Sequence, residues 1–212
     1  MFFEYTVRER VADGCIHFLG VTASLAAAVT LIILAARMLP ALAVIPLGIY
    51  GAGLVAMFAC SAGYHLIRKG RAKEILRRLD HTAIFVMIAG TYTPLALLSM
   101  GGAWGIGLLS AVWAIAFIGV VMKLVLPRTF ERLSVSLYLA QGWAVLVAIK
   151  PLALSVPTLA LVLIGVGGAL YTIGVLFHLW HRLPYHNAIW HGFVLVAAGV
   201  HYAAILDATI LA

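Results

Sequence analysis

The chain has 212 residues, of which 65% are hydrophobic and only 10% charged, with a formal net charge of +7. An ordinary soluble domain is about a quarter charged, so a soluble fold is excluded, as a monomer or as helices packed in a water-filled oligomer. The positive balance does not point to a nucleic-acid partner either: six of the fourteen basic residues crowd between Arg68 and Arg78, where a loop beside anionic lipid accounts for them.

The first fifteen residues carry Glu4, Arg8, Glu9, Arg10 and Asp13 and read as a charged segment ahead of the first apolar run, 16–38. That run is too long for a secretory signal and lacks a small-residue cleavage site, so it is expected to stay as the first span. Six further spans are expected at 41–66, 81–100, 104–124, 133–149, 152–177 and 188–211. Each approaches the 20 or so apolar residues that a bilayer core requires. Charged or turn-forming stretches separate them: Arg37 with Pro40, RKGRAKEILRRLD, Gly101-Gly102, LPRTFER, Lys150-Pro151 and HRLPYHN. Pro46, Pro94 and Pro157 fall inside the expected spans, where neighbouring helices re-satisfy the freed carbonyls. Seven spans leave no room for a second domain, so residues 1–212 are expected to form one all-α, seven-helix membrane bundle.

Lysine and arginine set the orientation. Twelve of the fourteen lie in the N-terminal segment and the loops after spans two, four and six; only Arg37 and Lys150 lie on the other side. The positive-inside rule then places the N-terminus in the cytoplasm and the C-terminus outside. Cys15 and Cys60 fall toward the reducing side, and no structural disulfide is expected.

The same topology brings titratable side chains to one depth. His17 begins span one, His65 ends span two, Asp80 and His81 begin span three, and His186 and His191 begin span seven, all on the cytoplasmic side. Ionisable groups that face a bundle interior are expensive and usually have a task, and three imidazoles with a carboxylate at one level can make a zinc site with an open position. Plain alternatives stand beside this reading. Any one of His17, His65 and His81 can be a packing histidine, and Asp80 can cap the helix it opens. His178 and His181 read as polar residues of an interfacial turn. His201, about 15 Å of helical rise deeper than His191, is too far for the same site and reads as an interhelical hydrogen-bond partner.

At these residues the chain resembles the hemolysin III proteins of bacteria, related to the progestin and adipoQ receptors. The resemblance rests on ERVADGCIHFLG, SAGYH at 61–65, LDHTAIFVMIAGTYTP at 79–94, LYLAQGW at 137–143, GGALYTIG at 167–174 and AIWHGFVLVAAGVHY at 188–202. It implies a seven-helix bundle with the N-terminus inside. It also implies a zinc ion near the cytoplasmic face, bound by one histidine at the end of helix two and two at the start of helix seven, with an aspartate of helix three close by. His65 and His191 match ligand positions and Asp80 matches the aspartate. The remaining ligand does not carry over: the pattern is HxxxH, and Asn187 stands four residues before His191. His186 is taken as the third ligand if the chain unwinds at Pro184-Tyr185; otherwise Asn187, His17 or water completes the shell.

The family has been grouped with alkaline ceramidases, so the resemblance implies a zinc-dependent hydrolase of lipid amides or esters in the bacterial inner membrane. Asp80 would orient or deprotonate the attacking water, and Ser61, one turn before His65, would hydrogen-bond beside it. The alternatives are a receptor-like regulator of membrane lipids with a structural zinc, and a cytolytic membrane protein. Membrane lipids are the expected partners, and the oligomeric state stays open.

Overall fold

A computed structural model describes residues 6–67, 69–126 and 131–211. Of the charged residues named above or held in those separating stretches, Glu4, Arg68 and Arg128 lie outside them, as do the side chains of Glu131 and Arg132. Among the described residues there is no strand, and seven helices are long and apolar enough to cross a membrane.

α1, Val7–Met38, opens with a capping box: the Thr6 hydroxyl accepts from the Glu9 N–H at 3.3 Å, and the Glu9 carboxylate accepts from the Thr6 N–H at 2.8 Å. The charged segment is therefore the first turns of the helix rather than a preface to it. At 32 residues α1 is about 48 Å long, well beyond a hydrocarbon core of about 30 Å. α3, Arg71–Pro94, likewise starts earlier than hydropathy suggests, after Gly70 at φ 102. Asp80 thus sits in the interior of α3 and caps nothing.

The prolines mark boundaries more than interiors. In α2, Val44–Leu66, Pro46 occupies the first turn, where no intrahelical partner is lost. Pro94 ends α3 and leads into a π-helical turn, Leu95–Met100, before Gly101 and Gly102, at φ 60 and 55, turn the chain into α4, Gly102–Val125. The fifth crossing is composite: α5, Glu131–Gly142, a 3₁₀ segment, Trp143–Ala148, and α6, Ile149–Ala153. Pro157 flanks α7, Thr158–Leu179, instead of lying inside it, so this crossing starts later than expected. α8, His186–Thr209, completes the bundle.

Sequential helices pack side by side, and α8 returns to α1, which closes the bundle with α3 touching α2, α4, α5 and α8. Two apolar cores flank α3. One joins Leu31, Leu47, Tyr50, Phe58 and Ile205; the other joins Phe85, Val112, Val145 and Leu152. Outside, Phe18, Phe117, Val147 and Leu154 expose 71–87% of their surface, part of an apolar perimeter far larger than a water-facing surface carries. The molecule is a multi-pass membrane bundle.

Candidate metal centre

The centre is built from helix ends. On α1, Glu9, Asp13 and His17 recur every four residues and share one face. On α2, Ser61 and His65 have the same spacing in the last turns. The end of α2 is held by Lys73 of α3, whose Nζ donates to the Tyr64 and Ile67 carbonyls at 3.3 and 2.9 Å and lies 4.7 Å from the Tyr64 ring centroid. α8 supplies His191 about one and a half turns from its start.

These elements converge on the Asp13 carboxylate. His191 Nδ1 donates to Oδ1 at 2.6 Å, while His65 Nδ1 and His17 Nε2 lie 3.2 and 3.4 Å from Oδ2. The three imidazoles pack on one another with centroids 4.4–4.9 Å apart. One donor atom from each of Asp13, His17, His65 and His191 lies within 4.8 Å of all the others, so the group could hold a metal ion. The donors suit it: three imidazole nitrogens and a carboxylate oxygen are a set that divalent transition metals accept, and His17 Nε2 is buried with the Asp13 carboxylate 3.4 Å away.

The residues singled out in the sequence divide. His65 and His191 lie in this group. His186 stands apart from it: it is buried at the start of α8, its ring 5.4 Å from that of His181. The chain does unwind before it, at Trp180–Tyr185, with Tyr185 at φ 60, yet the fourfold contact is completed by α1. The Asp80 side chain is buried in α3, and Ser61 and His17 lie on the neighbouring helices, half-buried and buried. All of them, with Asn187, His178 and His181, line one cavity of about 350 Å³, so the last two are not mere edge residues. Its walls are chiefly apolar, with Met57, Phe58, Ile84, Met87 and Ile88 among them, and it reaches as far as His201, whose Nε2 donates to the Ile164 carbonyl at 3.2 Å.

Asp13 was missed by sequence reasoning, and His17 entered only as an alternative. The signal was there: DxxxH at 13–17 repeats the spacing of SxxxH at 61–65, and both put two polar groups on one helical face.

Seven apolar crossings that enclose a histidine–carboxylate cluster define a polytopic membrane protein with a candidate metal centre. The chain belongs to the haemolysin-III related family, whose model matches residues 5–202. It is similar to the hemolysin-3 homolog of Bacillus subtilis, 38% identical over 95% of each chain. It is also similar to hemolysin-3 of Bacillus cereus, 36% identical over 94% of this chain and 91% of the relative. The human monocyte to macrophage differentiation factor is 28% identical over 74% of this chain and 67% of its own. No solved structure matches the chain.

Proposed function

We propose that this protein is a zinc-dependent hydrolase of membrane lipid amides or esters, working at the end of the bundle that the charge count assigns to the cytoplasm of a bacterial inner membrane. The observation that carries the reading is the junction of a metal-competent cluster, the buried Asp80 and an apolar cavity that Ser61 also lines. His17, His65 and His191, with Asp13, would hold the ion. Bound zinc supplies Lewis acidity, polarising a carbonyl and acidifying water. Asp80 takes the water proton on its carboxylate oxygen, and the Ser61 hydroxyl fixes the direction of that carboxylate. The apolar wall around Met57, Phe58 and Met87 excludes bulk water and receives the acyl chain.

The test is release of fatty acid from a long-chain N-acyl or ester lipid by purified protein in mixed micelles, read by mass spectrometry. Asp80→Ala is expected to lower turnover by about 10²- to 10⁴-fold, and His65→Ala or chelation to abolish it. Turnover that is unchanged in either variant overturns the proposal.

One observation favours a second reading, a structural metal in a regulator of membrane lipids. The four donors are all protein groups from three crossings, and a closed four-ligand shell is the habit of structural zinc. Stoichiometric zinc, a melting temperature lowered by chelation and no lipid product would select it. Dye release from pure lipid vesicles that persists after chelation would select the lytic role named in the relatives.

A further inference from the structure

Glu9 divides its carboxylate between two helix starts. Oε2 accepts from the Thr6 N–H and hydroxyl, both at 2.8 Å, and Oε1 accepts from the Tyr185 N–H at 3.0 Å across 176 residues of sequence. Tyr185 is the one non-glycine residue with positive φ among the described residues, and it flanks the first turn of α8. A bulky residue persists in that conformation only where its surroundings hold it. The carboxylate supplies the hold, and its negative charge also suits the N-terminal end of a helix.

This contact sets where α8 begins against α1. Two links between the helices run side by side: Glu9 to Tyr185, and one turn further along α1, Asp13 to His191. Without the first, the start of α8 has lost its fixed point and the His191–Asp13 geometry rests on packing alone. We infer that Glu9 is a positioning residue of the metal centre: it touches none of the four donor side chains, and it acts by clasping the left-handed Tyr185 so that α8 delivers His191 to Asp13. The inference rests on the metal-centre reading and goes beyond it in assigning the clasp.

The experiment titrates the purified full-length protein in detergent with Co²⁺, read by its ligand-field bands, and with Zn²⁺ against a chromophoric chelator. Glu9→Ala is expected to weaken metal binding roughly ten- to hundredfold, the range for groups that orient ligands, and to change the Co²⁺ bands at saturation. Glu9→Gln keeps one acceptor for the Tyr185 N–H and is expected to fall between that variant and the unaltered chain. Thr6→Ala removes the helix-start hydroxyl but leaves the clasp, and is expected to bind as the unaltered chain does. Unaltered affinity and bands in both Glu9 variants overturn the clasp while the metal centre stands. Equal weakening in Thr6→Ala also overturns it, by assigning the effect to the start of α1. An unaltered chain that takes up no metal overturns the centre and the clasp together.

Discussion

A single carboxylate, Asp13, faces three imidazoles from three helices, and it is the one anionic group among the four. Removing it leaves His191 Nδ1–H buried without a partner, which costs about 1–3 kcal/mol. Asp13→Ala is therefore expected to melt at a lower temperature than the unaltered chain even when both are fully chelated, as read by thermal unfolding in detergent. Equal melting of the two would mean that packing, not the carboxylate, gathers the histidines. Asp13 also marks the limit of what the sequence discloses. His65 and His191 stand out because apolar helices surround them, whereas Asp13 sits among Arg8, Glu9 and Arg10 and reads as one more solvated charge. Only the capping box that starts α1 at Val7 turns the segment into a helix with Asp13 and His17 on one face.

Among the elements, the fifth crossing departs most from a regular helix. At its break the Tyr92 hydroxyl of α3 donates to the Gly142 carbonyl at 2.6 Å and accepts from the Val145 N–H at 3.0 Å. Gln141 adds a second brace, its Nε2 donating to the Phe85 and Val112 carbonyls at 3.1 and 3.3 Å. Inside a bilayer no water replaces such partners. Tyr92→Phe is expected to destabilise the protein by about 1–3 kcal/mol and to speed amide exchange at Val145 ahead of the neighbouring helices. Exchange at Val145 that matches the unaltered chain would show that the break needs no hydroxyl. Hydropathy located the crossing and not the break, because Trp143–Ala148 is as apolar as any helix and its distortion depends on a tyrosine far away in sequence. The proline boundaries were legible only in part. Pro157 looks like a tolerated breaker inside an apolar run, but the turn at residues 154–156 makes it the flank of α7.

At the scale of the molecule, the number of crossings, the all-α class and the common level of the histidines were readable from composition and charge, since a bilayer imposes helix length and solvation on any chain. What joins α1 to α8 was not, because contacts between the ends of a chain leave no local pattern. If zinc binds this centre, ligation takes unprotonated imidazole, so protons compete with the metal. Metal present at a hundredfold excess over its dissociation constant adds about 2.7 kcal/mol to stability. The gap in melting temperature between zinc-loaded and chelated protein is accordingly expected to be full at neutral and alkaline pH and to narrow as pH falls. A gap that stays constant across about pH 5 to 8 would contradict imidazole ligation.

The return of α8 to α1 has a further consequence, for biosynthesis. Asp13, His17 and His65 leave the ribosome early, and His191 comes only with the last crossing. A chain halted after α7 holds three of the four donors and lacks the one that hydrogen-bonds to Asp13. The cluster therefore closes last, and a metal bound there with full affinity would be a record that membrane insertion had run to its end.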